Sequence, residues 1–354
     1  MTHPAYDPRA DLCRLAAERL GGQPVKPEQL EKMKGGGSDR HFYRFPAGQP
    51  LVGVWGEDPA ENQAFWVFTR HFAARGIPVP KLFGEDPVRG LYLMEDLGAH
   101  TLQEQLRLWR KEETPGRVLA ALERVVDWLA VIQVAGGRGL DEGLFYQGRV
   151  LDRARFQADV DYFLAQYAGR YFPLLPPTPQ VTAGLTALVD RVAAEDATHF
   201  CYRDFQTRNI MWPSDDRGPV FIDYQSGRWG PLAYDLVSLL FSPDSGLDEA
   251  GRETLTERYL AALATQGAPQ QGDTFRQRLM DFVLIRRMQA LGAYAYLAHV
   301  KHKPLLLEKI PGTLALLRGL LARPEVLAGE PELKTWLARL VAQAPEEALR
   351  GMVL

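Results

Sequence analysis

The fold of this chain is decided by the string YRDFQTRNIM, residues 202–211, together with the string FIDYQ, residues 221–225. In the first string Asn209 stands five positions after Asp204, and in the second Asp223 stands fourteen positions after Asn209. Each string is joined to an apolar run of the kind that forms a short buried strand. The pattern predicts that Asp204 and Asn209 share one loop and that Asp223 ends a neighbouring strand.

The three side chains match what phosphoryl transfer from ATP requires. A carboxylate must orient the acceptor hydroxyl or take its proton, and two further oxygen ligands must hold magnesium on the phosphates. Magnesium prefers hard oxygen ligands and keeps several waters, so one Asn and one Asp suffice. An Asp and an Asn at this spacing are by themselves more often a capped turn. The added carboxylate in the expected order favours Asp204 as the catalytic base, with Asn209 and Asp223 as magnesium ligands.

The composition limits the possible partners. The chain has 354 residues, enough for two domains, and its 46% hydrophobic and 24% charged residues are ordinary for a globular protein. Its net charge of −3 gives no global basic field for nucleic acid or an anionic membrane. It contains no run of about 18 uncharged apolar residues and no N-terminal apolar signal core. We therefore predict a cytoplasmic protein with no nucleic-acid or membrane partner, and the oligomeric state stays open.

The distribution of strand and helix patterns divides the chain near residue 96. Before that point, strand patterns occur at 41–45, 51–55, 79–83 and 91–94, and helical patterns at 8–20 and 59–75. After Gly98 the pattern is helical at 101–110, 116–135, 152–169, 180–195 and from 234 onward. We predict an α+β fold with a nucleotide-binding N-lobe at 1–96, built on a small antiparallel sheet. The remainder, 97–354, is predicted to be a mainly helical C-lobe with the catalytic and acceptor-binding residues.

The catalytic strings resemble those of the aminoglycoside phosphotransferase/choline kinase superfamily. Its members carry H-x-D-x₄-N followed by a magnesium-binding Ile-Asp, and here Tyr202 stands where the histidine is usual. The resemblance covers most of the chain and implies a protein-kinase-like, two-lobed fold that uses ATP and Mg²⁺. It also implies that Asp235, in the string GPLAYDL at 230–236, braces the catalytic loop; a helix N-terminal cap is the compatible alternative.

Longer strings narrow the resemblance to one branch of the superfamily. Residues 204–211, 222–225 and 230–240 are similar to those of the anomeric sugar kinases of cell-wall recycling, which act on N-acetylmuramic acid and N-acetylglucosamine. This resemblance implies ATP- and magnesium-dependent phosphorylation of a sugar hydroxyl, and of those sugars' anomeric hydroxyl in particular. A kinase for an aminoglycoside, a choline-like amino alcohol or another sugar is an alternative. A non-catalytic nucleotide-binding regulator is a further one.

A glycine run in the N-lobe is a candidate phosphate-covering loop. Gly35, Gly36 and Gly37 let the backbone approach the phosphates, and successive N–H groups can bind them. Ser38 and Arg40 follow closely and are predicted to contact the nucleotide as well. A plain hairpin is the alternative for a lone glycine run, and the catalytic strings favour nucleotide contact.

The N-lobe departs from the kinase pattern at one position. Kinases hold the phosphates with a Lys of the third strand paired to a helix Glu, but the strand at 51–55 contains no Lys. Glu61 stands where the partner is expected, and Lys34 and Arg40 are candidates for the missing cation. The resemblance further implies that the connector lines the adenine, which gives three more nucleotide-binding residues, Met94, Glu95 and Leu97.

The acceptor site is predicted from the charge balance of the segment at 281–303. Asp281 is its only acid, whereas its basic or potentially basic residues are Arg286, Arg287, His299, Lys301, His302 and Lys303. That balance disfavours a polycationic acceptor and suits a neutral or anionic one. A solvated basic helix face is the more frequent meaning of such a run. The residues that we predict to contact the acceptor are Asp204, Arg208, Gln225, Arg228 and Arg287.

Overall fold

The computed structural model of the protein describes residues 6–21, 24–33, 39–214 and 217–343. Contacts between residues divide the chain into two units, one formed by 1–149 with 202–228 and the other by 150–201 with 229–354. The predicted α+β class, with a small antiparallel sheet and a mainly helical remainder, is confirmed. The division into lobes at residues 96 and 97 stays a prediction.

The first unit contains a five-stranded antiparallel sheet with the strand order β1-β2-β3-β5-β4. Its strands are β1 (Glu31–Lys32), β2 (His41–Arg44), β3 (Leu51–Trp55), β4 (Leu82–Asp86) and β5 (Leu91–Glu95). The side chains of β3 are buried along nearly its whole length, which suits its valines because β-branched residues pack well in a covered sheet.

Helix α1 (Arg9–Leu20) packs on this sheet through Leu12 and Leu15. The contact depends on a glycine in β3. A Cβ atom added to Gly53 would stand 2.9 Å from Cδ2 of Leu12, closer than two such atoms can come. The absence of a side chain at Gly53 therefore allows α1 to lie directly against the sheet.

Strand β4 differs from its prediction. The strand was expected at 79–83 but spans Leu82–Asp86. Prolines at positions 78 and 80 explain the shift, because proline has no N–H to donate to a ladder. The segment before β4 has another role, since the carbonyl of Pro78 accepts a 2.8 Å hydrogen bond from the backbone N–H of Phe221. That bond fixes the string that carries Asp223.

Helix α2 (Pro59–Ala73) follows β3 and carries Glu61. It begins at Asp58, whose side chain accepts hydrogen bonds from the backbone N–H groups of Ala60 and Glu61. Pro59, at the first helical position, already has the φ that a helix requires. The Asp58 cap and Pro59 therefore both favour a helix that begins at this point. Because the cap fixes the first turn, it also fixes the direction from which Glu61 enters the site.

The other helices occupy most of the remaining chain. The first unit also contains α3 (Leu102–Lys111) and α4 (Pro115–Val131). The helices of the second unit are α5 (Arg153–Phe163), α6 (Gly169–Tyr171), α7 (Pro179–Ala193), α8 (Leu232–Leu240), α9 (Glu249–Thr265), α10 (Gly272–His299), α11 (Ile310–Leu321) and α12 (Pro331–Ala342). None of the helices in the described ranges is both long enough and apolar enough to cross a membrane.

The centre of the second unit is the long helix α10, which packs against α5. Phe156 and Phe282 meet edge to face with ring centroids 6.0 Å apart. At Gly292 the two helices approach so closely that an added Cβ would lie 3.1 Å from the Cα of Phe163. Short strands β6 (His199–Cys201) and β9 (Arg228–Gly230) pair with each other, and β6 contacts α8.

Candidate active site

The two catalytic strings form a small hairpin in the first unit. Strand β7 (Ile210–Met211) pairs antiparallel with β8 (Val220–Phe221). Immediately beyond the paired residues, the backbone N–H of Ile222 donates to the carbonyl of Asn209 across 3.1 Å. Asn209 and Asp223 therefore lie on adjacent segments, as the sequence predicted.

The loop that carries Asp204 is closed by its own hydrogen bonds. The backbone N–H of Gln206 donates to the carbonyl of Asp204 at 2.8 Å, and the N–H of Asn209 donates to the carbonyl of Gln206 at 2.8 Å. Nδ2 of Asn209 also donates to the Asp204 carbonyl at 2.8 Å. One asparagine side chain therefore fixes the backbone of the predicted base and belongs to the predicted metal site.

Two residues beside these side chains have left-handed backbone conformations. Arg203 has φ of 76° and Asp223 has φ of 70°. Non-glycine residues in this region cost about 1–3 kcal/mol each and persist only where the surroundings over-determine them. Asp tolerates the conformation better than most residues, whereas Arg has no such advantage. Glu113, His302 and Leu327 also have positive φ elsewhere in the described residues, with smaller values of 53°, 55° and 54°.

Tyr202, which stands where the family usually has histidine, ties the loop to the strand of Asp223. Its side chain is buried, and its hydroxyl donates a short hydrogen bond to the carbonyl of Ile222. Its ring also packs edge to face against Phe205 and Tyr224. The substitution therefore keeps a polar link at this position and supplies aromatic packing around it.

Arg40 joins two acidic side chains of the site. Its Nη2 lies 2.8 Å from Oδ1 of Asp223, and its Nε lies 3.3 Å from Oε1 of Glu61. Only 7% of its surface is exposed. Burial by itself would lower the pKa of this guanidinium, but Tyr92, Asp223 and Glu61 together raise it above its ordinary value. Arg40 is thus a firmly charged, buried cation, and it contacts the Glu61 that has no lysine partner in β3.

Gln225 completes the network around Arg40. Its Nε2 donates to Oε1 of Glu61 at 2.9 Å and to Oδ1 of Asp223 at 3.0 Å. The Gln225 side chain is buried, and its two bonds join the partly exposed carboxylates of Glu61 and Asp223 in one polar cluster. Its predicted contact with the acceptor stays a prediction.

The packing behind this network was not foreseen from sequence. The hydroxyl of Tyr92 accepts a 3.4 Å hydrogen bond from Nη1 of Arg40, and burial raises the pKa of Tyr92. The rings of Phe65 and Tyr224 stack with centroids 5.6 Å apart, and the hydroxyls of Tyr224 and Thr69 are 2.5 Å apart. One indication of this packing was present in the sequence. Tyr92 lies in the apolar strand β5, and the hydroxyl of a buried tyrosine requires a hydrogen-bond partner.

The predicted acceptor residues differ in their surroundings. Arg208 is exposed, whereas Arg228 is buried and donates from Nη2 to Oε1 of Gln147 at 3.4 Å. The same oxygen accepts a 2.5 Å bond from Nη1 of Arg203. Sequence reasoning missed Gln147, which gave no local signal. Arg287 lies on α10 in the second unit, and these assignments to the acceptor stay predictions.

The nucleotide-binding predictions fall partly outside the described residues. Lys34, the three glycines at 35–37 and Ser38 all lie there. The connector is described: Met94 and Glu95 end strand β5, and Leu97 follows with a buried side chain. The backbone N–H of Asp96 donates to the carbonyl of Pro50 at 2.9 Å, and its carboxylate pairs with Arg44. These contacts fix the connector that the adenine is predicted to meet.

Asn209 and Asp223 suit the ligand set of a magnesium ion. Nδ2 of Asn209 is engaged by the loop, so Oδ1 is the atom of that side chain suited to bind a metal. Arg40 and Gln225 both donate to the same Oδ1 of Asp223, whose side chain is 37% exposed. Oxygen donors from one or two side chains, together with phosphate and water, are what Mg²⁺ requires.

Comparison with known proteins assigns the chain to a protein family. The sequence pattern of the phosphotransferase enzyme family abbreviated APH matches residues 56–275, which include the catalytic loop and Asp223. The chain belongs to this phosphotransferase family. It is therefore an enzyme that transfers a phosphoryl group to an alcohol acceptor.

Individual relatives agree with the family assignment. A curated relative, the N-acetylmuramate/N-acetylglucosamine kinase of Pseudomonas aeruginosa, is 26% identical over 333 residues, which cover 93% of this chain and 92% of the relative. Among solved structures, a choline/ethanolamine kinase family protein from Mesorhizobium loti is 16% identical with a TM-score of 0.59, covering 94% of this chain and 98% of its own. An ADP-bound aminoglycoside phosphotransferase is 13% identical with a TM-score of 0.54, and the match covers 87% of this chain and 97% of that protein. The structural likenesses confirm the protein-kinase-like fold.

Proposed function

We propose that the protein is an ATP- and magnesium-dependent sugar kinase that phosphorylates the anomeric hydroxyl of N-acetylmuramic acid and N-acetylglucosamine. The observation that carries the proposal is the hydrogen bond from Asn209 Nδ2 to the carbonyl of Asp204. It couples the predicted base to a predicted metal ligand within one short loop. The name of the Pseudomonas relative supports the choice of sugars.

In this mechanism Asp204 orients the sugar hydroxyl and takes its proton as the phosphoryl group is transferred. Its closed loop keeps the carboxylate directed at the acceptor, which lowers the entropic cost of reaching the transition state. When bound, magnesium would neutralise charge on the transferred phosphoryl group. Asn209 and Asp223 are the side chains that would hold it.

Arg40 takes the place of the missing lysine in this proposal. It pairs with Glu61, as the strand lysine of other kinases pairs with a helix glutamate. Its side chain enters ahead of β2 rather than from β3, and its buried charge can meet the α- and β-phosphates. The cluster of Arg40, Glu61, Gln225 and Asp223 would align the nucleotide through charge and hydrogen bonding rather than through covalent chemistry.

The structure gives a reason to prefer catalysis over nucleotide sensing alone. A binding module needs cations for the phosphates, but it does not need a carboxylate held on the acceptor side by a dedicated loop. Here the Asp204 loop is closed by three hydrogen bonds, and strained backbone lies beside it at Arg203. Strain of this kind typically accompanies function.

An acceptor panel tests the substrate. Initial rates of ATP consumption would be measured with N-acetylmuramic acid, N-acetylglucosamine, choline and kanamycin at equal concentrations. The proposal predicts that both amino sugars are turned over faster than the other two compounds. Faster turnover of choline or kanamycin would overturn the substrate assignment. Nucleotide binding without turnover of any acceptor would favour the alternative of a non-catalytic nucleotide-binding regulator.

A further inference from the structure

The segment 145–147 of the first unit approaches the catalytic strings from outside them. Its first residue, Phe145, is buried and packs edge to face on Phe68 of α2, with ring centroids 5.8 Å apart. Directly after the segment, the backbone N–H of Gly148 donates to the carbonyl of Phe145 at 3.0 Å, which turns the chain. The segment is therefore anchored to the helix that carries Glu61.

Gln147, at the end of this segment, places one oxygen atom between two guanidinium groups. Its Oε1 accepts a 2.5 Å hydrogen bond from Nη1 of Arg203 and a 3.4 Å bond from Nη2 of Arg228. The first bond is short and charge-assisted, and the second is long and weak. Arg203 directly precedes Asp204, and Arg228 follows the string that carries Asp223. One amide oxygen of the same unit therefore joins the two catalytic strings.

The nitrogen of the same amide is engaged by Tyr146. Nε2 of Gln147 donates to the Tyr146 hydroxyl at 3.0 Å. Burial first, and then the nearby Glu61, raise the pKa of Tyr146 to about 12, so this hydroxyl stays protonated at neutral pH and accepts through its oxygen. A guanidinium has only donors, so the amide must present its oxygen to Arg203 and Arg228. The orientation of the Gln147 amide is therefore determined at both ends.

The backbone of Arg203 requires support from its surroundings. Its φ of 76° is a conformation that arginine keeps only where neighbouring contacts impose it. The hydrogen bonds that close the catalytic loop act on the Asp204 carbonyl and on the residues after it. The bond from Gln147 acts on the residue before it. Asp204 is thus held from both sides along the chain.

We propose that Gln147 is a positioning residue for the catalytic base: through Arg203 it holds the left-handed backbone that directs the Asp204 carboxylate at the acceptor. The inference rests on the function proposed above, in which Asp204 takes the proton of the sugar hydroxyl. A small displacement of a catalytic group costs rate without a comparable loss of binding. Because the Gln147 side chain is exposed, water competes for its bonds, and their removal should loosen the loop without unfolding the protein.

Steady-state kinetics on matched variants test the proposal. Gln147→Leu removes the amide at similar size, and we expect kcat to fall about tenfold while KM for ATP and for the sugar changes less than about twofold. Gln147→Glu keeps an oxygen for Arg203 and should recover most of kcat, since a carboxylate accepts strongly from a guanidinium. The control Gln157→Leu removes a glutamine bond to Asp161 on α5 and should leave kcat unchanged.

A double-mutant cycle tests whether Gln147 acts through Arg203. Arg203→Met already removes the bond between them, so adding Gln147→Leu to it should lower kcat by less than about a further twofold. The same tenfold loss in both backgrounds would overturn the proposal, because Gln147 would then act independently of Arg203. A raised KM for the sugar with unchanged kcat would also overturn it, in favour of direct contact between Gln147 and the acceptor.

Hydrogen exchange of backbone amides separates this inference from the proposed function. In Gln147→Leu the amides of residues 204–209 should exchange faster than in wild type, while those of β3 exchange at the wild-type rate. Faster exchange in both regions would indicate general structural support and overturn the proposal, as would unchanged exchange at 204–209. If wild type phosphorylates neither sugar, the proposed function fails, and the exchange at 204–209 still decides whether Gln147 holds the loop. If Gln147→Leu does not fold, Gln147→Ala replaces it in each measurement.

Discussion

Nη2 of Arg40 lies 2.8 Å from Oδ1 of Asp223, although 183 residues separate the two in sequence. The same guanidinium meets Glu61, so one buried cation is shared by two acids. This arrangement joins Glu61 to the predicted magnesium ligand through one cation. It is the basis of our proposal that Arg40 replaces the lysine that β3 lacks.

Removing the charge of Arg40 should impair nucleotide binding and catalysis together. Arg40→Met would leave Glu61 and Asp223 without their shared cation, and we expect KM for ATP to rise and kcat to fall, each by about tenfold or more. Steady-state kinetics over a range of ATP concentrations would measure both. Arg70→Met is a suitable control, because Arg70 forms an exposed ion pair on the same helix as Glu61. Effects of equal size in the two variants would contradict the assigned role of Arg40.

Changing Asn209 should alter the dependence of the reaction on magnesium. Asn209→Ala removes both the predicted metal ligand and the bond to the Asp204 carbonyl, and we expect kcat to fall by about a hundredfold or more. Asn209→Asp keeps an oxygen ligand but loses the donor, so it should retain more activity and need a different free Mg²⁺ concentration for half-maximal rate. Rates titrated against Mg²⁺ would show this. An unchanged magnesium dependence in both variants would exclude Asn209 as a ligand.

His71 should make the fold sensitive to acid. Its Nε2 donates to the carbonyl of Gly136 at 2.8 Å, and Arg75 approaches its Nδ1 at 3.2 Å, so the neutral ring is fully bonded. Burial is the main cause that lowers the pKa of His71 below its usual 6.5 in the folded protein. The unfolded chain therefore takes up the proton first, and the stability contributed by this ring is present above pH 6.5 and is lost as the pH falls below it.

Denaturant unfolding at neutral pH and near pH 5 would measure this effect. His71→Gln retains a donor for the Gly136 carbonyl and removes the titrating ring, so its unfolding free energy should depend less on pH than that of wild type. His199 and His299, whose pKa values are also lowered by burial, should keep part of the dependence. The same pH dependence in wild type and variant would show that His71 does not contribute.

The arrangement of Asp204, Asn209 and Asp223 could be predicted from sequence because these three residues lie close together along the chain. Asp204 and Asn209 share one short loop, and a hairpin of four paired residues brings Asp223 beside them. The β-rich start and the helical remainder were equally predictable from periodicity. Strand β4 was placed too early because the predicted strand at 79–83 included Pro80, whose missing N–H group excludes it from the ladder.

The rest depended on long-range contacts that periodicity does not encode. Arg40 was a candidate cation, but its pairing with Asp223 and the 164-residue contact between Gln225 and Glu61 needed the folded chain. The basic run at 281–303 suggested a solvated face, yet Arg286 and Arg287 on α10 are buried, while His302 and Lys303 beyond its end are exposed. The apolar stretch at 282–285 directly before the two arginines was the signal of their burial.

Phosphorus NMR of the reaction product tests the central claim most directly. Wild type would be incubated with ATP, Mg²⁺ and N-acetylmuramic acid or N-acetylglucosamine, beside an Asp204→Ala variant. We predict a sugar 1-phosphate signal for wild type and a rate at least about a hundredfold lower for the variant, since a positioned base typically contributes that much. A 6-phosphate product, no sugar phosphate at all, or a variant within about tenfold of wild type would contradict the account.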